Sequence, residues 1–234
     1  MASRRPFLDQ RLQGTCAYCG AVPESTDHVP SAVFLDDPLP PNTAVVRACL
    51  RCNRSFSLDE EYLACFIACV LCGSTDPSRI GRPKIRRALE AHPKLAACVE
   101  ACAQVTSEGR LVWTPQSDRV RNVVLKLARG HAAFESGLTQ PQEPTAVVWT
   151  PLLVMTDQER ATFERAGAGE PRLWPEIGSR AFSRAVGEPP YDKDPGPWID
   201  VQRGRYRYSV DEDPAIHVRI VISEYLACEV AWGD

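Results

Sequence analysis

The sequence predicts an α+β protein with a small cysteine-framed N-terminal module, a helical middle and a mainly antiparallel β C-terminal region. Three observations carry that expectation. Two Cys-x-x-Cys knuckles, Cys16 with Cys19 and Cys49 with Cys52, bracket a stretch rich in Pro, Asp and Ser that ends in a β-prone run. Between residues 58 and 134 apolar side chains recur at helical spacing. From 198 to 232 they follow the period-two alternation of strands.

Taken in order, Gly14 to Gly20 reads as a turn that aims two thiols at one point. In residues 21–43, Val33-Phe34-Leu35 is the only apolar cluster, and the run from Thr43 to Ala48 is a strand that delivers the second knuckle. Ser57 and Glu60 have the spacing of a capping box, so either one helix starts at the knuckle or a short turn yields to a new helix near Leu58. From Leu58 to Cys72 apolar residues fall on nearly every face, and Gly73 stops the helix. A second helix is expected over Arg82 to Val105. Two similar runs, Ala64 to Cys69 and Ala97 to Cys102, place cysteines one helical turn apart, as small packing residues.

Val112-Trp113-Thr114-Pro115 and Val148-Trp149-Thr150-Pro151 look like a loose duplication, each followed by a helix start; for the second the start is a capping box at Thr156 and Glu159. After the first, Val120, Val123, Val124, Leu127, His131 and Phe134 form an apolar stripe, with Arg119, Lys126 and Arg129 largely off it. Residues 168–197 are loop-rich. Four strand-like runs then close the chain, with Arg203-Gly204 as a tight turn. The expected division is 1–75, 76–140 and 141–234, the last an α+β region that suits a specificity or interaction domain.

Composition narrows the function classes. The 234 residues carry a formal net charge of −3, with a pI near 5.9, so no global positive field draws the chain to nucleic acid or membrane. Nucleic-acid binding would have to come from local basic patches. No apolar run of signal-peptide or membrane-spanning length is present, and the expectation is a soluble, cytoplasmic protein. Ten cysteines in a reducing compartment point to metal ligation rather than disulfides.

The C-x2-C-x29-C-x2-C pattern of Cys16, Cys19, Cys49 and Cys52 satisfies a tetrahedral zinc with no open position, which is a structural site. Inside this frame lie Asp27 and His28, and Asn53 follows the last cysteine. A carboxylate and an amide oxygen suit a hard cation such as Mg²⁺ or Mn²⁺. Histidine, which titrates closest to neutrality, suits a general base.

Cys-x-x-Cys, Asp-His-Val-Pro, Asn and Cys-x-x-Cys-Asn, in that order, resemble the zinc-bearing branch of the HNH (ββα-metal) endonucleases over residues 14–62. The resemblance implies a ββα-metal module with the four cysteines on structural zinc. It implies Asp27 and Asn53 as ligands of a catalytic Mg²⁺ or Mn²⁺, His28 as the base that activates water, and Asn42 as the residue that braces the hairpin and orients His28. It further implies phosphodiester hydrolysis with nucleic acid as partner, DNA ahead of RNA. One departure is Phe56, where many members carry a lysine. Arg51, Arg54, Arg82, Lys84 and Arg86 are the candidate phosphate-binding residues. The C-terminal region is where a second copy of the chain or a partner protein would engage. The alternative expectation is a zinc-ribbon module that binds nucleic acid or protein without catalysis.

Overall fold

A computed structural model describes residues 14–40, 43–165, 180–187, 198–212 and 215–233. The fold mixes helices with antiparallel sheets, as the sequence predicts. Its residues group into two compact units, Met1–Ser55 together with Val124–Asp234, and Phe56–Val123. No helix among the described residues is long and apolar enough to cross a membrane.

In the first unit, strands β1 (Ser25–Val29) and β2 (Ala44–Ala48) form an antiparallel ribbon, followed at once by the short helix α1 (Leu50–Ser55). The Val33-Phe34-Leu35 cluster lies in the connection, where a 3-10 turn over Ala32–Phe34 buries Phe34 and Leu35 completely.

The second unit begins with α2 (Ser57–Cys72), which ends at Gly73 in the left-handed conformation (φ 66°) that glycine adopts without strain. The expected capping box at its start is not formed. Phe56 is the N-cap, and Ser57 is already the first helical residue. The expected helix over 82–105 is two helices, α3 (Pro83–Ala91) and α4 (Pro93–Glu100). Pro93 has no N–H to continue the ladder and disfavours a helical residue before it, so the chain breaks at His92.

That stretch ends in a strand, β3 (Ala103–Val105), which pairs antiparallel with β4 (Leu111–Trp113). Within this unit Asp59 accepts hydrogen bonds from Arg119 Nε (2.6 Å) and Asn122 Nδ2 (2.7 Å), and Tyr62 Oη accepts from the Gln116 amide (2.8 Å). Cys65 and Cys69 are buried, and burial pushes both thiols up to about 12, which keeps them as neutral packing groups.

Helix α5 (Ser117–Ser136) runs from the second unit into the first. Its predicted stripe is buried throughout. Lys126, expected off that stripe, is buried as well, at 1% exposure. In the first unit the C-terminal strands form a five-stranded antiparallel sheet. Its order is β5 (Ala146–Pro151), β9 (Leu226–Ala231), β8 (Ile216–Ile222), β7 (Tyr206–Glu212) and β6 (Ile199–Gln202). The last four match the four strand-like runs, and Gly204 (φ 73°) makes the β6–β7 turn. Strand β5 joins the opposite edge and continues through a 3-10 turn into α6 (Asp157–Glu164), which starts with the predicted capping box at Thr156 and Glu159.

Register places Tyr206, Ile222 and Leu226 across from one another on one face, beside Tyr208, Ile220 and Cys228. This face meets the C-terminal half of α5, where His131 stacks on Tyr208 with ring centroids 3.7 Å apart. On the opposite face Val221 and Ala227 pack with Leu152 of the 3-10 turn and Phe163 of α6. Between residues 168 and 197 only the helix α7 (Arg180–Ala185) and the two residues after it are described; the rest of that loop-rich expectation lies outside the described residues.

Candidate functional site

The first knuckle closes through backbone bonds. The Cys16 amide donates to Ala21 O (2.7 Å), and the Gly20 amide donates to Cys16 O (2.9 Å). Gly20, at φ 76°, makes the left-handed turn. The Ala17 amide then ties the knuckle to β2 by donating to Arg47 O (2.9 Å). Because β2 ends one residue before Cys49, the strand register fixes where the second pair of sulfurs lies.

The four Sγ atoms of Cys16, Cys19, Cys49 and Cys52 all fall within 4.8 Å of one another, and Cys19 Sγ stands 3.8 Å from Cys49 Sγ. Four thiolates at the usual Zn–S bond length of about 2.3 Å sit about 3.8 Å apart, and a disulfide needs about 2.05 Å. The donor set and its spacing are therefore compatible with zinc, and the cysteines are free. The Cys52 amide donates to Cys49 Sγ (3.4 Å), the largest cause that lowers the Cys49 thiol to about 7, while burial pushes those of Cys16 and Cys52 up. Among the described residues this is the one group of three or more Cys, His, Asp or Glu side chains close enough to hold a metal.

Alternation along β1 puts Ser25, Asp27 and Val29 on one face with their cross-strand partners Ala48, Val46 and Ala44. Thr26 and His28 lie on the other face, opposite Arg47 and Val45. His28 is exposed to water, whereas the Asp27 side chain keeps 15% exposure. Asn53 is held by two anchors. Its amide N–H donates to Cys49 O (3.0 Å), and its side-chain Nδ2 donates to Ser25 Oγ (3.0 Å) and Thr26 O (3.2 Å). The zinc-compatible frame thus sets α1 against β1 beside Asp27. Asn53 spends its nitrogen on the strand, and among the described residues its Oδ1 accepts no hydrogen bond.

Asp27 has two partners that sequence reading missed. Tyr18, inside the first knuckle, donates its hydroxyl to Asp27 Oδ2 (2.8 Å), and Lys126 Nζ lies 2.8 Å from the same oxygen. Lys126 also stands over the Tyr18 ring, 5.6 Å from its centroid. One turn further along α5, Gly130 lets the helix approach β1. A Cβ there would stand 2.6 Å from Val29 Cγ2. The signal for Lys126 was a lone cation in the apolar run Val123-Val124-Leu125-Lys126-Leu127-Ala128.

Of the remaining predicted residues, Asn42 lies outside the described residues. Arg51 and Arg54 are exposed on α1. In the other unit Arg82 is the N-cap of α3, Lys84 is half-buried and Arg86 exposed. In the β6–β7 hairpin Arg205 and Arg207 are committed to internal pairs. Arg205 Nε meets Asp36 Oδ2 at 2.5 Å, and Arg207 bridges Glu164 (2.7 Å) and Glu224 (2.9 Å).

Comparison of the chain with protein-family models, curated proteins and solved structures gives no match.

Proposed function

We propose that the protein is a metal-dependent endonuclease of the HNH type, acting on nucleic-acid phosphodiesters, DNA ahead of RNA. What supports this reading is one arrangement. Asp27 and His28 lie side by side on β1, and Asn53 at the start of the following helix is hydrogen-bonded onto that strand within the four-sulfur frame. Asp27 Oδ1 and Asn53 Oδ1 accept no hydrogen bond among the described residues, so the donor set fits a hard cation that keeps most of its waters. A divalent ion bound there would supply charge stabilisation to the scissile phosphate and the leaving oxygen.

The chain's own residues do the rest. Zinc on the four cysteines would fix the angle between ribbon and helix. Tyr18 and Lys126 hold the Asp27 carboxylate in one orientation. His28, open to water, takes a proton from the attacking water at an imidazole nitrogen. Arg51 and Arg54, exposed on α1, would meet backbone phosphates. The test is cleavage of plasmid DNA, with RNA in parallel, in Mg²⁺ or Mn²⁺ by the full chain and by His28→Ala. Equal cleavage by both, or none under either cation, overturns the proposal.

A second reading has one observation in its favour. The Asp27 carboxylate already carries a counter-cation in Lys126, as it would in a zinc-ribbon module that binds nucleic acid or protein without cutting. Duplex binding in a gel shift, with no cleavage under either cation, would select it.

A further inference from the structure

A lysine at 1% exposure is costly to bury unless its charge is matched, and Asp27 supplies the match at 2.8 Å. The geometry of the pair has a chemical consequence. Asp27 Oδ2 accepts from both Lys126 and Tyr18, which fills its two lone-pair directions and leaves Oδ1 to meet an ion. Asp27 is therefore restricted to one ligand oxygen, and Asn53 adds a second, uncharged one. With Lys126 against the carboxylate, the net charge of this set is zero. Oxygen-ligand sites set their affinity for hard dications chiefly through ligand charge and rigidity. A neutral two-oxygen set holds Mg²⁺ or Mn²⁺ poorly by itself.

From this we infer that Lys126 is a positioning residue that cancels the charge of Asp27, so that the divalent ion is taken up together with a nucleic-acid phosphodiester. The phosphate supplies the anionic oxygen that the protein withholds. The inference rests on the nuclease reading above and adds to it the order of assembly. In the free protein Asp27 belongs to Lys126, and the site becomes attractive to a dication only once a phosphate lies beside Asn53. Tyr18 contributes orientation without charge, so removing its hydroxyl and removing the ammonium should have different effects.

The experiment uses the full, zinc-loaded chain carrying His28→Ala, so that substrate survives. Mn²⁺ binding is followed by loss of the free-ion electron paramagnetic resonance signal, and binding of a DNA duplex by fluorescence anisotropy with and without Mn²⁺. Linkage requires both readings to report the same coupling. Mn²⁺ should bind at least about tenfold more tightly with duplex present. Adding Lys126→Met should tighten duplex-free Mn²⁺ binding by about tenfold or more and shrink the coupling, whereas Tyr18→Phe should leave duplex-free binding within about twofold.

Equal Mn²⁺ affinity with and without duplex in the His28→Ala chain overturns the inference, whether or not the Lys126→Met chain folds. Unchanged duplex-free affinity in a folded Lys126→Met chain overturns it too, and makes the ion pair a fastening between α5 and β1. Asp27→Asn separates the two levels. If it abolishes Mn²⁺ uptake while Lys126→Met has no effect, the nuclease site stands and the inference falls. If it leaves Mn²⁺ uptake unchanged, Asp27 is no ligand and both fall.

Discussion

His131 makes stability depend on pH in a way that can be worked out from its surroundings. The ring is fully buried, with Nε2 2.8 Å from Tyr206 Oη, the ring face on Tyr208, and Nδ1 with no partner among the described residues. Tyr208 in turn donates to Glu135 Oε1 (2.5 Å), and Lys126 is the charge that bears on the ring. Burial first, and the Lys126 ammonium second, push the imidazole well below its ordinary value of 6.5.

The folded state therefore keeps His131 neutral where the unfolded chain protonates it. The unfolded chain binds the extra proton below about pH 6.5, so the stability tied to His131 is full above that value and is lost as pH falls toward the lowered folded value. Between about pH 7.5 and about pH 5.5 the loss is about 1.4 kcal/mol, which lowers the melting temperature by about 3–6 °C for a chain of this size.

Other groups titrate in the same window, so the measurement is a difference. Urea unfolding is followed at both pH values for wild type and for His131→Phe, which keeps the stacking on Tyr208 and removes the proton site. The wild type should lose about 1.4 kcal/mol more than the variant on acidification. Parallel losses in the two proteins would refute the reasoning, because His131 would then bind its proton equally well in the fold.

Two further outcomes follow from geometry alone. The four-sulfur frame should yield one equivalent of zinc by elemental analysis, and stripping it with a strong chelator, or Cys49→Ser, should unfold the knuckle and ribbon, since zinc contributes on the order of 10 kcal/mol to such units. A purified chain free of zinc, or melting indifferent to the chelator, would count against the site. Gly130→Ala gains about 1 kcal/mol of helix propensity but sets a Cβ 2.6 Å from a stiff, buried valine, and overpacking of that kind costs about 1–3 kcal/mol. A net loss of about 1 kcal/mol is expected, and adding Val29→Ala should cost less than the two single changes together; a Gly130→Ala chain as stable as wild type would show that the close approach is not rigid.

The elements that were legible in the sequence are those whose signal is local. The doubled x2 spacing brings four sulfurs together, and the period-two runs from 198 to 232 become β6 to β9 with the expected turn at Gly204. Two misreadings were also local and had physical causes. The Ser57–Glu60 spacing mimics a capping box, but the backbone is already helical at Ser57, and the helix drawn through Arg82 to Val105 passed over Pro93.

Lys126 is different in kind. Its burial cannot be read from α5, because its partners Asp27 and Tyr18 come from the first knuckle and the strand behind it, far upstream in the chain. The joining of β5 to β9 was hidden in the same way, since pairing is decided by the strand that returns to it and not by the strand's own pattern. At the candidate site the sequence shows that Asp27 and His28 are neighbours and that Asn53 follows the last cysteine, but not the ammonium that faces the carboxylate.

The close approach of α5 to β1 at Gly130 also bears on how the chain comes together in time. The face of the ribbon that carries Asp27 and Val29 is synthesised well before Lys126 and Gly130, which meet it. Until those residues emerge, the knuckles can form while that face of the ribbon stays uncovered, and such non-local contacts form late in folding. An N-terminal fragment cut before α5 would carry every residue of the recognisable motif and still lack the helix that closes over it. The motif is contiguous in sequence, but the unit that houses it is not, so it cannot be transplanted as a cassette without α5.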